Sequence, residues 1–136
     1  MKLILPCVIA VLTMGALPPL SSTELDTASQ LVVTGTVQGI YTATVQSEGK
    51  AGWTDEHLVL KVRVDTVTKG KAEVGKVVYL HAWHSDKRPD GWTGNGGHRG
   101  LPAVGQSGKF YVKVKADGSL AILGPNGSSK LPKPTK

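Results

Sequence analysis

An alternation of apolar and polar side chains between residues 57 and 83 constrains the fold more than any other feature of the sequence. Leu58, Leu60, Val62 and Val64 form an apolar row, and Val59, Lys61 and Arg63 form a mixed row between them. A two-residue period places one row on a core and the other toward water. After a loop rich in lysine and glycine, a second β-rich run covers residues 76–83. The stretch therefore predicts two long paired strands.

The N-terminal residues 1–22 have the pattern of a secretory signal peptide. A cation at Lys2 precedes an apolar run over residues 3–12 and then several small residues. Interrupting prolines leave the run too short for a spanning helix. We expect cleavage after Ala16 or Ser22, and a secreted or periplasmic location.

Cysteine content agrees with export to a bacterial envelope. The single cysteine, Cys7, lies within the predicted signal peptide. The mature chain would then have no disulfide and no thiolate ligand for a metal, so its stability must come from its core. Exported domains without disulfides are ordinary in bacteria.

The chain carries a formal net charge of +6, with basic residues spread along its length. Such a surface can bind anionic polymers through screened electrostatics. Lysines on outer faces and strand edges also serve solubility and discourage edge pairing, and this interpretation of the charge is favoured. Export argues against nucleic acid as the physiological partner.

The rest of the chain divides into a lead-in at 23–30, a β domain at 31–125 and a polar, proline-bearing tail at 126–136 that we expect to be disordered. The first strand is expected at 31–37, with Gly35 at a bulge or bend. Glycines and prolines predict one long loop between residues 83 and 108. A hairpin should follow, with strands at 109–115 and 119–123.

These elements predict an all-β fold, a small five- to six-stranded antiparallel OB-like barrel with a long glycine-rich loop, after an N-terminal signal peptide. Closure into a barrel is favoured over a sandwich because it removes exposed strand edges.

Short motifs resemble the OB-fold domain of the netrin-module or tissue-inhibitor-of-metalloproteinase type. They are VVTGTV at 32–37, LKVRVDTVTKG at 60–70, VGKVVYL at 74–80, LPAVGQSGKFYV at 101–112 and DGSLAIL at 117–123. The resemblance implies the barrel and an extracytoplasmic binding role. Metalloproteinase inhibition in that family needs a mature N-terminal cysteine, which this chain lacks, so no inhibitory residue is carried over.

One candidate binding surface combines aromatic and basic side chains. Tyr79, His81 and Trp83 should share one face of the third strand, beside Lys61 and Arg63 on the second, and Trp92 lies in the long loop. Such a face can stack on sugars or bases, or contact a protein. An outer aromatic row that simply stabilises the sheet is the alternative.

A candidate metal site involves His81, His84, Asp86 and His98, whose imidazole and carboxylate groups could bind zinc or copper. His81 and His84 are three apart on a strand and should point to opposite faces, which weakens the set. Ordinary polar loop residues are the competing interpretation, because no recognised ligand spacing is present.

Three functional hypotheses follow. The first is a non-catalytic binding module for an envelope protein or glycan; the second is a zinc or copper protein. An enzyme is the third and is not expected, because the serines lack a nucleophile-elbow context and Asp55 and Glu56 would diverge on a strand.

Overall fold

A computed structural model describes residues 18–132 of the chain. Its elements are α1 (Ser22–Ala28), β1 (Leu31–Gln46), β2 (Thr54–Lys69), β3 (Val77–Ser85), β4 (Ser107–Val114), β5 (Leu120–Ile122) and β6 (Ser128–Lys130). The all-β prediction is therefore confirmed, with one short helix added.

The strands form a mixed six-stranded sheet in the order β1-β2-β3-β5-β4-β6. Strand β1 also pairs with β4, so β1, β2, β3, β5 and β4 close into a ring. Closure leaves each of these strands with neighbours on both sides over part of its length, and those parts have no free edge.

Strand directions differ from the purely antiparallel arrangement expected from the sequence. Leu80 and His81 on β3 pair in parallel with Leu120 and Ala121 on β5, whereas the other pairs are antiparallel. A closed ring with an odd number of strands cannot alternate direction throughout. At least one neighbouring pair must be parallel, and here it is β3 with β5.

Strand β1 is bent so that it can serve two neighbours. Its first half, residues 31–36, pairs with β4 on one side and with β2 on the other. The pairing with β2 shifts register around Gly35, as the sequence predicted, and again between Val37 and Gly39. A β-carbon at Gly35 would collide with Val62 Cγ1 and the Arg63 carbonyl oxygen. Glycine permits this close approach of two strands.

The core fills the interior of the ring. It consists of Leu31, Val33, Val37, Leu58, Leu60, Val62, Val64, Leu80, Ala82, Phe110, Val112 and Ile122. The apolar row of β2 is buried, as its two-residue period predicted. Phe110 has no exposed surface and is among the largest buried side chains.

Helix α1 tethers the N-terminal end of the described chain. Ser21 and Glu24 form a capping box, in which each side chain accepts a hydrogen bond from the other's backbone N–H. Asn126 exchanges two hydrogen bonds with the backbone of Leu20. Residues 1–17 of the predicted signal peptide lie outside the described residues. In the part of the chain that is described, no helix has the length and apolarity to cross a bilayer.

The predicted disordered tail is in part ordered. Residues 128–130 form β6, which pairs with 108–110 on β4. Composition alone indicated disorder, but an open strand edge supplies backbone partners that do not depend on side-chain character. Residues 133–136 lie outside the described residues.

We predict that Gly35→Ala destabilises the protein by roughly 1–3 kcal/mol, because the added methyl group overpacks the contact with β2. Urea unfolding measures this change. Gly96→Ala is the matched control, since its added β-carbon would find only Ser85 Oγ, at 3.7 Å. Equal stability of the two variants would contradict the role assigned to Gly35.

Candidate functional site

A cleft at the tip of the β1–β2 hairpin is the most distinctive surface feature among the described residues. We call it the tryptophan cleft; its lining consists of Lys50, Trp53, Gly91, Trp92, Thr93 and Gly94, and its volume is about 480 Å³. The lining comes from two segments, the hairpin turn and the long loop after β3. That volume lies within the range of small-ligand sites.

Two indole rings form the walls of the cleft. The centroids of Trp53 and Trp92 are 6.1 Å apart, with an interplanar angle of 75°. This edge-to-face geometry makes a corner and not a sandwich. Gly94 lies directly against Trp92, where a β-carbon would meet the indole at 2.5 Å. Glycine in the loop therefore keeps one wall of the cleft in place.

Arg88 lies against both rings and fixes their relative position. Its guanidinium carbon is 5.1 Å from the Trp53 centroid and 4.8 Å from the Trp92 centroid. Lys50 Nζ is 5.0 Å from the Trp53 centroid. Cations at these distances are attracted to the aromatic faces. Arg88 Nε is buried without a hydrogen-bond partner in the described residues.

The hydrogen bonds of Arg88 connect the two segments that form the cleft. Nη1 donates to the carbonyl oxygens of Thr54 (2.6 Å) and Lys87 (2.8 Å), and Nη2 donates to Asp55 Oδ1. Only 10% of the Arg88 side chain is exposed. A planar guanidinium with several fixed donors holds such a junction more rigidly than a lysine would.

The carboxyl group of Asp55 is adapted to this junction. Burial raises its pKa, but hydrogen bonds from Arg88 and Ser47 and the attraction of the Arg88 charge outweigh that effect, so the pKa lies below its ordinary 3.8. Asp55 is therefore an ionised structural partner of Arg88. A carboxyl that served as a general acid at neutral pH would need the opposite shift.

The predicted aromatic row lies on the outer face of the sheet, as expected from its spacing. Tyr79 and His81 are exposed, whereas Trp83 is half-buried. Lys61 pairs with Tyr79 across the strands, and Arg63 lies farther along β2, opposite Val77. A smaller hollow of about 180 Å³ lies near His81 and Trp83, with further lining from His57, Ala82, His98, Lys115 and Ala121.

Trp92, predicted with the same surface, lies instead in the tryptophan cleft. The predicted binding set is therefore divided between two places, the outer face and the cleft.

His98 is buried and links β3 to β5. Its Nδ1 accepts a hydrogen bond from the Trp83 N–H (3.1 Å), and Nε2 donates to the Ile122 carbonyl oxygen (2.6 Å). The imidazole thus takes the place of a peptide group between two strands that pair directly only over residues 80–81 and 120–121. Both ring nitrogens are used, which leaves neither available to a metal in this arrangement.

The four residues of the predicted metal site do not converge. His81 points outward, His84 Nδ1 is 4.0 Å from Glu56 Oε1, and Asp86 accepts a hydrogen bond from Thr54 Oγ1 (2.9 Å). Residues 18–132 contain no group of three or more histidine, cysteine, aspartate or glutamate side chains placed to hold a metal ion. Zinc or copper binding stays a prediction from the sequence, and these four residues do not form a metal site in the structure.

Sequence reasoning did not identify Lys50, Trp53 and Arg88 as site residues. A usable signal was present, because two of the three tryptophans lie in glycine-bearing loops, at positions 53 and 92. Binding residues lie disproportionately on loops, so aromatic side chains in polar loops are candidates for a binding site. Their pairing could not be derived, since it depends on how the two loops meet.

Comparison of the chain with family models, curated proteins and solved structures finds no match. The function is therefore inferred from the chemistry of the sites themselves.

We predict that His98→Ala lowers the free energy of unfolding by about 2–4 kcal/mol, because two buried backbone groups lose their partner. Chemical denaturation measures it. His84→Ala serves as control and should change stability by less than about 0.5 kcal/mol, since that side chain is partly exposed. Stability unchanged in His98→Ala would contradict the bridging role.

We also predict that acid weakens the junction at Arg88. Because the pKa of Asp55 is lower in the folded than in the unfolded state, the unfolded state binds more protons between these two values. The Asp55 contribution to stability is complete above about pH 5 and is lost progressively as the pH falls through 3.8 toward the folded pKa. Tryptophan fluorescence during acid titration should report this loss.

The matched variants for the acid titration are Asp55→Asn and Asp117→Asn. The pKa of the Asp117 carboxyl is also lowered, mainly by hydrogen bonds from Ser119, but it lies in a turn away from the cleft. Only Asp55→Asn should remove the fluorescence change. If the change survives in Asp55→Asn, another group controls the cleft.

Proposed function

We propose that this protein is an exported, non-catalytic binding module of the cell envelope that takes a glycan in the tryptophan cleft. The observation that carries the proposal is the pair of indoles held at a fixed angle by Arg88. A site whose aromatic walls are positioned before the ligand arrives loses less entropy on binding.

The closed ring in the order β1-β2-β3-β5-β4 supports an OB-like barrel as the scaffold. In this proposal the resemblance to the netrin-type domain extends to the fold and to a role outside the cytoplasm. The cleft lies on loops at one end of the ring, where a rigid sheet can position variable segments.

A sugar fits the chemistry of the cleft walls. The apolar face of a pyranose can lie on one indole while the other indole closes the side, and ring hydroxyls remain hydrated. The volume of about 480 Å³ accommodates a short stretch of saccharide. Lys50 at the rim favours a saccharide with an acidic group, in keeping with the basic net charge of +6.

Binding without catalysis is the reading that the cleft favours. The ion pair beside the cleft is formed by Arg88 and Asp55. Arg88 donates hydrogen bonds to Asp55 and to a backbone carbonyl oxygen, so neither charged group is free to act on a ligand. The lining residues are aromatic, small or cationic. Acid and base catalysis on a glycan would call for two suitably spaced carboxyl groups facing the ligand.

We predict that Trp53→Ala and Trp92→Ala each weaken binding to an acidic polysaccharide such as alginate by about tenfold or more, since each loses a stacking surface. Isothermal titration calorimetry with alginate, and with uncharged dextran as the comparison, measures it. Trp83→Ala is the control, because that indole lies on the outer face and not in the cleft.

Two results would contradict the proposal. If Trp83→Ala loses affinity and both cleft variants keep it, the ligand binds at the outer aromatic row and not in the cleft. Absence of binding to any of a panel of acidic and neutral polysaccharides would leave the cleft without its proposed ligand class. Circular dichroism confirms that each variant is folded.

A further inference from the structure

The second half of β1 leaves one edge of the sheet open. Residues 39–46 pair with β2 on one side, while the pairing with β4 ends at Thr36. The loop before β4 covers the edge only as far as Val37, which exchanges backbone hydrogen bonds with Gln106 and Gly105. Within the described residues, no strand pairs with the other side of 39–46. Alternate backbone N–H and C=O groups there face outward.

This edge lacks the charged residues and prolines that commonly protect open strands. Strand β1, LVVTGTVQGIYTATVQ, contains neither a charged residue nor a proline along its whole length. Natural edge strands commonly carry lysine or proline, or are very short. Strand β6, at the other end of the sheet order, follows that rule, because it has three residues and ends in Lys130.

The absence of charge on β1 contrasts with the basic character of the rest of the chain. With a formal charge of +6, two copies repel each other over most orientations. Strands β2 and β4 both expose lysine or arginine, whereas β1 exposes none. The open edge of β1 is therefore the place where a second basic copy can approach without a like charge opposite it.

The sequence of the edge is complementary to itself in size. In an antiparallel pairing centred on Thr42, Tyr41 lies opposite Ala43 of the second copy, and Gly39 lies opposite Val45. Ile40 then lies opposite Thr44, a pair of β-branched residues suited to a sheet. Large residues meet small ones, and Thr42 meets its own copy on the twofold axis. Tyr41, 56% exposed, would gain a covered face.

We propose that this protein forms a symmetric dimer by antiparallel pairing of β1 residues 39–45 with the same residues of a second copy. The paired β1 strands join the sheets of the two copies into one continuous sheet. Its contacts are isologous, as a twofold axis requires. The pairing involves only one strand from each copy, so the dimer is weak and reversible. This inference does not depend on what the tryptophan cleft binds.

One consequence concerns the tryptophan cleft. The hairpin turn that carries Trp53 follows directly after Gln46, at one end of the paired segment. Antiparallel pairing places the two turns at opposite ends of the shared sheet. Each dimer then presents two clefts facing apart, an arrangement that gives avidity on a polymer with repeating units.

The test compares Thr42→Lys and Thr42→Glu with the wild type. Each protein is expressed from the full sequence and studied by sedimentation velocity from about 1 μM to about 1 mM, the range of weak affinities. The wild type should show a concentration-dependent dimer. The dimerisation affinity of each variant alone should be lower than that of the wild type by about tenfold or more, because like charges meet on the axis.

Mixing the two variants is the decisive arm. An equimolar mixture of Thr42→Lys and Thr42→Glu should recover dimers, since opposite charges then meet on the axis. Thr23→Lys, an exposed substitution on α1 that adds the same charge, should dimerise like the wild type. Thermal unfolding verifies that all variants are folded.

Hydrogen exchange locates the contact. In the wild type, the outward-facing amides among residues 39–45 should gain protection as the concentration rises, whereas amides of β6 should not. A monomer at all concentrations would overturn the proposal. A dimer that persists in Thr42→Lys, or that fails to reform in the mixture, would place the interface elsewhere and overturn it too.

Discussion

Two-sided pairing of β1 is the interaction on which the structure depends. Residues 31–36 contact β2 and β4 at once, and only this double pairing closes the sheet into a ring around the core. Gly35 makes it possible, because a side chain there would strike Val62 and the backbone of Arg63. Closure of the ring then constrains the directions of the other strands. The ring has an odd number of strands, so one pair runs parallel, and that pair is short.

The short parallel pair explains the role of His98. Strands β3 and β5 share direct pairing over two positions, and the imidazole extends the contact between Trp83 and Ile122. A buried side chain with one donor and one acceptor can replace a peptide group in this way. The long loop is therefore anchored to the ring near its middle by His98, while Arg88 anchors its beginning.

Arg88 also shows how the protein combines rigidity with a binding surface. The same guanidinium neutralises Asp55, satisfies carbonyl oxygens of both segments and lies on two indoles. Its position against the rings fixes the angle of the cleft walls, while Trp53 and Trp92 both stay partly exposed. Beyond the ring, the hairpin that carries this cleft continues into an edge that is free of charge. The proposed glycan binding and the proposed self-association therefore involve adjacent parts of one hairpin.

Local chemistry in the sequence determined which residues face the core. The two-residue period of β2 and the turn residues 116–118 act over a few positions, so the buried row of Leu58 to Val64 and the β4–β5 hairpin were predictable. Relations between distant segments were decided only by the tertiary structure. Trp53 meets Trp92 because two loops converge at one end of the ring, and both ring nitrogens of His98 bond the backbone. Backbone partners for residues 128–130 likewise existed only once β4 had an open side. Periodicity reports side-chain direction along one strand, whereas these contacts follow from closure of the whole sheet.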